Sequence, residues 1–391
     1  MKKDICFIEN FDDIDLVTKQ VDTKNILFIP LNLETYIFCK KKNYDIFDFK
    51  KNISENFHKN ALVASENFLN NLSFRYKLNY SLKSEISYFL RFRLNNIIFI
   101  IEIIEKIISQ MQVGCIIVSG LKKNFYTNIS DGSMVTEIVE NLYQDKIKIK
   151  KLVDNKNYNE LPLLMKYDLA FNYSFQNKNV LLSNAGYNFK RIIKALNQKK
   201  INVWIPFFEK LSIIRKIIYY FRGYKILQLK KTDRKEKLKI YIEKINFKYN
   251  SFDLSELLNE FYMKFNYFLN DADQKSIILK KTINENNISL TISNIAKGFN
   301  GSILDHDVNC KTLCVTHGMM TKSYNDYDSI YKKILAEAVF AGESKFFAIQ
   351  SKIMLDSLNT LKINGEAIKT GNIVFSSAKN RKKKNNLILH A

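Results

Sequence analysis

Ile288-Ser-Leu-Thr-Ile-Ser-Asn294, Thr312-Leu-Cys-Val-Thr-His-Gly318 and Phe346-Phe-Ala-Ile-Gln-Ser351 are three short apolar runs, each ending in polar residues or glycine. Their length is that of buried strands rather than helices. The segments between them leave room for helices, as does the one before the next run, Ala367–Lys369. Strands alternating with helices predict an α/β fold with Rossmann-like, mainly parallel sheets flanked by helices. An open parallel sheet binds its ligands outside the carboxyl ends of its strands. His317 and Gly318 sit at one such end, Gln350 and Ser351 at the next, and Thr370, Gly371 and Asn372 at the third. Glycine at these points lets backbone approach a ligand, and a following helix N-terminus favours an anion.

Upstream, Asn179-Val-Leu-Leu-Ser-Asn-Ala-Gly-Tyr-Asn188 reads as a further strand and turn, followed by a helix over Phe189–Asn197 and a strand over Ile201–Trp204. The turn lacks the Gly-x-Gly-x-x-Gly dinucleotide fingerprint. Strands are also expected at Ile5–Ile8, Asn25–Ile29, Gly114–Ser119, Lys146–Lys150 and Asp168–Tyr173. Long helices are expected over Ser54–Leu72, Leu82–Met111 and Leu254–Leu269. The pattern divides the chain into an N-terminal α/β region with long helices at 1–175 and a Rossmann-like region at 178–376. A linker and one strand of a truncated second domain follow at 377–391. That last strand, Asn386–Leu389, has no helix behind it to complete a βαβ unit, so either it pairs onto the existing sheet or the chain is a fragment.

The chain has 391 residues with 61 Lys+Arg against 39 Asp+Glu, a formal charge of +22. An apolar content of 46% excludes a disordered chain, and 3 prolines and 11 glycines exclude collagen-like or proline-rich architectures. Of the basic residues 53 are Lys and 8 Arg, beside abundant Asn and Ile, the composition of an AT-rich genome. Reading nucleic-acid bases leans on Arg, so no specific nucleic-acid partner is expected. The charge concentrates in residues 121–250, which sum to +16, and there Arg215–Lys248 carries 12 basic and 3 acidic residues. Within it, Arg215-Lys-Ile-Ile-Tyr-Tyr-Phe-Arg-Gly-Tyr-Lys225 has the cationic and apolar faces of an interfacial helix, so residues 215–248 are the candidate contact with an anionic membrane. An ordinary packed helix with a solvated lysine face fits the same residues.

Five cysteines without framework spacing argue for a reducing compartment. Cys310, Cys314 and His317 lack a fourth ligand at zinc spacing, so no metal site is assigned. Three residues in succession cannot face one way, which weakens Asp305-His306-Asp307 as an ion site, and Ser130-Asp131-Gly132 reads as a helix cap. No signal peptide is evident, and the most apolar stretch, Asn96–Ser109, carries Glu102, Glu105 and Lys106 and is too short to span a bilayer. A cytoplasmic protein, peripheral on the inner membrane face, is the expected setting.

Thr316-His317-Gly318 and, downstream, Lys369-Thr370-Gly371-Asn372 stand in an order that resembles the N-terminal half of GT-B-fold glycosyltransferases of bacterial capsule and O-antigen biosynthesis. The likeness covers roughly 178–391. Thr316 stands where that family has Gln, and Ile373 where it has Pro. The resemblance implies transfer of a sugar from a nucleotide-sugar donor to a surface-glycan acceptor, with His317 in the cleft as base or phosphate contact. It implies neither cofactor nor metal, a donor held mainly by the second domain, and Asn184 and Gly186 on the acceptor side. The competing reading is a non-catalytic basic protein that binds anionic membrane or another polyanion.

Overall fold

A computed structural model of the chain describes residues 2–52, 55–78, 80–119, 134–152, 164–175, 178–184, 189–294, 309–315, 344–360 and 365–370, with short pieces at 304, 324–326, 328–330 and 332. The chain is α/β and forms two compact units, one from residues 1–78, 86–164 and 237–270, the other from 79–85, 165–236 and 271–391.

Unit 1 opens with β1 (Lys3–Ile8), α1 (Phe11–Gln20), β2 (Ile26–Pro30) and α2 (Leu33–Lys41), followed by α3 (Phe49–Asn52), α4 (Glu55–Asn70) and, from Ile86 onwards, α5 (Tyr80–Gln110). Then come β3 (Val113–Val118), α6 (Met134–Tyr143) and β4 (Lys148–Lys151). The four strands form a parallel sheet in the order β2-β1-β3-β4. All five residues of β2 are buried, as expected where helices cover both faces of a parallel sheet. The helices α1 and α2, which apolar periodicity does not announce, are set by their caps. Asn10 accepts from the Asp12 and Asp13 backbone N–H groups, and the Asp13 carboxylate accepts from the Asn10 N–H at 2.8 Å, a reciprocal capping box. Asn32 does the same work for α2 by accepting from Thr35 N–H at 2.8 Å.

Unit 2 contains β5 (Met165–Leu169), β6 (Asn179–Leu182), α7 (Lys190–Gln198), β7 (Asn202–Phe207), α8 (Ile213–Phe221) and β8 (Lys225–Lys235). The chain returns to unit 1 for a small hairpin, β9 (Lys248–Tyr249) and β10 (Phe252–Asp253), and for the first half of α9 (Ser255–Glu285). It then closes unit 2 with β11 (Ile288–Ser293), β12 (Lys311–Cys314), β13 (Phe346–Ile349), α10 (Lys352–Thr360) and β14 (Glu366–Lys369). These make an eight-stranded sheet, β14-β13-β12-β11-β6-β7-β8-β5. Every pairing is parallel except that of the edge strand β5 with β8. Read from β8 to β13, this is the doubly wound order 3-2-1-4-5-6, with the winding direction reversing between β6 and β11.

Alternation along the strands feeds two cores. Leu181 and Trp204 point to the face covered by Ile278, Leu279 and Ile283 of α9. Val180, Leu182, Val203 and Ile205 point to the opposite face, with Phe189 and Ile193 at α7. At the amino edge Asn179, fully buried, accepts from Trp204 Nε1–H at 3.0 Å and from the Asn202 side chain at 3.3 Å.

Several expectations shift. The boundary expected at 175–178 falls at 164/165, and 237–270 belongs to unit 1, so the units interleave. The strand expected over Asp168–Tyr173 runs over Met165–Leu169, because the ladder to β8 stops at Leu169. The helix expected to end at Leu269 continues to Glu285. The linker and terminal strand at 377–391 lie outside the described residues.

Candidate functional site

The reversal point of the unit 2 sheet lies between the carboxyl ends of β6 and β11. Each strand is followed directly by Ser-Asn: Ser183-Asn184 after β6, and Ser293-Asn294 at the end of and after β11. Thr291 pairs with Leu181 and Ile292 with Leu182. Carrying that register forward sets Ser183 beside Ser293 and Asn184 beside Asn294. Ser183 N–H donates to Ile292 C=O at 2.9 Å. One residue later the Asn184 carboxamide donates to Asn294 Oδ1 at 2.7 Å, closing the gap between the strands. Both serines are buried, Ser183 at 2% exposure, and the Ser183 hydroxyl has no hydrogen-bond partner among the described residues. An orphaned hydroxyl there costs about 1–3 kcal/mol unless something occupies it.

Gln350, Ser351 and Thr370 line the same carboxyl edge, since β12, β13 and β14 follow β11 in the sheet. Val315 N–H donates to Ser293 C=O at 2.7 Å, which ties the exit of β12 to β11. His317 and Gly318 follow two and three residues later and, with Gly186, Gly371 and Asn372, lie outside the described residues. Gln350 and Ser351 follow β13. Ser351 has a structural duty: its hydroxyl accepts from Met354 N–H at 3.2 Å and caps α10. Thr370, exposed after β14, folds back on its neighbour, its N–H donating to Ile349 C=O at 3.0 Å. Strands in a sheet sit about 4.8 Å apart, so Thr370 is roughly 14 Å from the Asn294 strand and Gln350 roughly 10 Å. A small ligand centred on Asn184 and Asn294 therefore reaches the ends of β12 and β13 before that of β14.

Chemically, the reversal point formed by Ser183, Asn184, Ser293 and Asn294 is neutral. Two carboxamides and two hydroxyls offer donors and acceptors suited to the hydroxyls of a sugar or the edge of a base, and they supply no proton-transfer group of their own. Cys310 and Cys314 do not form a metal pair. The extended strand β12 separates them by about 13 Å at 3.3 Å per residue. Burial also raises the pKa of the Cys310 thiol, against the thiolate a metal needs. The segment Asp305–Asp307 lies outside the described residues.

Unit 1 has its own reversal point, between β1 and β3, and its chemistry is opposite. Glu9 follows β1 and accepts from Val135 N–H at 3.2 Å, while Asp13 Oδ2 accepts from Glu9 and Asn10 N–H groups. Helix α6 presents Glu137, paired with Arg93 at 2.5 Å and Lys264 at 3.3 Å. Burial lowers the pKa of the Arg93 guanidinium, and Glu137 opposes that shift. Carboxylates already occupy the helix start where a phosphate would sit, so this crevice disfavours anions.

Sequence reasoning found Asn184 and missed Asn294, Ser183 and Ser293. The signal was present as the repeated Ser-Asn after two buried strands, but nothing local says that those strands become neighbours. No protein family and no curated protein matches the chain. Among solved structures it is similar to a ketoreductase domain from the bacillaene assembly line, with 9% identity over 97% of this chain and 73% of that one. The TM-score is 0.19, which carries neither fold nor function across.

Proposed function

We propose that the chain is a glycosyltransferase that moves a sugar from a nucleotide-sugar donor to a hydroxyl of a surface glycan. The observation that supports this reading is the Asn184–Asn294 pair at the reversal point of a 3-2-1-4-5-6 sheet, on the edge that also carries the end of β12. Fold alone does not give function, so the residues at the edge bear the weight. In the reaction, the acceptor O–H loses its proton to a base as its oxygen bonds to the anomeric carbon. The anomeric C–O bond to phosphate breaks, and the nucleotide leaves with the electron pair. His317 is assigned the base or phosphate contact, and Asn184 and Asn294 hold sugar hydroxyls. Gln350 adds a hydrogen bond from the next strand but one. Ser351 caps the helix that follows β13, and Thr370 stands at the end of β14.

The test is calorimetric titration with a panel of nucleotide sugars, followed by nucleotide release with a glycan acceptor. Binding should weaken about tenfold in Asn294→Ala, the loss of one to two hydrogen bonds. His317→Ala should abolish release while leaving the fold intact. A chain that binds no member of the panel at millimolar concentration refutes the assignment.

A further inference from the structure

Helix α8 is unusual in what it exposes. None of its nine residues is buried, although six are Ile, Tyr or Phe with more than 40% of their surface in solvent. Ile213 is 75% exposed, Ile214 71%, Tyr220 76% and Phe221 82%. Scattered apolar residues need no explanation, but a contiguous set on one short helix does. At about 100° per residue, these side chains with Ile217 and Ile218 span an arc of roughly 160°. Tyr219 lies opposite the middle of that arc and packs on Phe207 at 5.2 Å and Tyr224 at 5.9 Å, so the arc faces away from unit 2.

The charges fall where the arc meets the protein. Arg215 and Arg222 flank it on one side and Lys216 on the other, with Lys210 and Lys225 at the two ends. No carboxylate occurs between Lys210 and Lys225. Lys216 also lies over the ring of Phe171, 5.9 Å from its centroid, and Phe171 is itself 58% exposed. The helix is held in place without burying its apolar face. Ser212 accepts from Arg215 N–H at 3.4 Å as its cap, and the buried Gln228 side chain donates to Phe207 C=O at 3.2 Å and Glu209 C=O at 2.8 Å, fixing the loop that leads in.

We propose that α8 docks the protein on an anionic lipid bilayer, its Ile, Tyr and Phe side chains lying among the acyl chains and its Arg and Lys at the headgroups. An outward apolar arc with cations at its rims and no acid within the helix, the exposed Glu209 lying before Lys210 in the loop that leads in, matches a membrane surface, where long basic side chains reach up to phosphate. A protein partner burying the same arc would need carboxylates set at both rims. The inference stands independently of the sugar-transfer reading, since α8 shares no residue with the carboxyl-edge site.

Sedimentation with phosphatidylglycerol-containing vesicles should carry the 391-residue chain down, and phosphatidylcholine vesicles alone should carry far less. Ile213→Ser/Ile217→Ser should weaken binding on the order of 100-fold by removing buried hydrocarbon. Arg215→Gln/Arg222→Gln should weaken it roughly 30-fold and flatten its salt dependence. Because these residues are exposed, circular dichroism of both variants should match the parent. In a separate reading, Tyr220→Trp should be quenched by bromine on the acyl chains while the buried Trp204 is not. Equal binding to neutral and anionic vesicles, or no quenching of Tyr220→Trp, overturns the proposal. So does self-association that Ile213→Ser/Ile217→Ser abolishes without vesicle binding, or capture of a polyanion that depends on the arginines and not the isoleucines.

Discussion

Asn179 and Asn184 sit five residues apart at opposite ends of β6, and their duties differ accordingly. Asn179 satisfies Trp204 Nε1–H inside the amino edge. Asn179→Leu should leave that donor buried and unpaired and lower stability by about 1–3 kcal/mol, measured by urea unfolding. Asn184→Ala, at the partly exposed carboxyl edge, should change stability by less than about 1 kcal/mol and act on ligand binding instead. The buried thiols make a third residue-scale prediction. Burial raises the pKa of Cys39 to about 11, and those of Cys6 and Cys115 move the same way. Below the unfolded thiol value near 9 both states stay protonated and stability is unaffected. Above it the unfolded chain ionises first, so stability falls as pH rises from about 9 towards 11. The urea midpoint at pH 10.5 should lie below that at pH 8, and Cys39→Ala should reduce the difference. A midpoint that does not move removes the argument.

At the scale of elements, the turn before β14 depends on Gly365. Its φ of 114° and the space around it both exclude a side chain, since a Cβ would meet Phe347 Cε2 at 2.2 Å and Ser344 O at 2.6 Å. Gly365→Ala should cost about 2 kcal/mol or more and loosen β14 from β13, seen as faster amide exchange at Ala367 and Ile368. The elements also show what was legible beforehand. Continuous apolar runs such as Asn179–Leu182 and Phe346–Ile349 announced their strands, because a strand buried on both faces carries its own signature. The strand β8, Lys225–Lys235, hid behind lysine. Leu227, Gln228 and Leu229 are buried but Lys225, Lys230 and Lys231 are exposed, and only the neighbouring strand explains the mixture. Helices α1 and α2 were legible only through Asn10-x-x-Asp13 and Asn32-x-x-Thr35, cap signals that periodicity overlooks. At the candidate site Asn184 could be read and Asn294 could not, since their meeting depends on β11 inserting beside β6 after an excursion of more than a hundred residues.

For the whole molecule, interleaving decides how the chain can be divided. A cut near 175, natural on a linear reading, separates β1–β4 from the 237–270 segment that completes unit 1. Residues 1–164 expressed alone should therefore be insoluble or lack a cooperative melt, while the intact chain shows one. A soluble, cooperatively folded 1–164 piece would contradict the division. Charge also acts at this scale. Since +16 of the +22 falls in residues 121–250, salt should weaken polyanion binding by that region far more than by the rest of the chain.

The order of the unit 2 sheet has a consequence in time. Strand β6 is the first of its parallel strands to be made and the central one in the finished sheet, with β7 on one side and β11 on the other. β7 emerges from the ribosome soon after β6, but 110 residues separate Leu182 from Ser293. At about 5–20 residues per second, the second edge of β6 stays open for roughly 6–22 s during synthesis. Its residues Val-Leu-Leu are apolar and unguarded by charge, the kind of edge that recruits a neighbouring nascent chain. Yield in a cell should therefore depend on how quickly residues 183–293 are translated, with slow codons in that window favouring aggregates over folded protein.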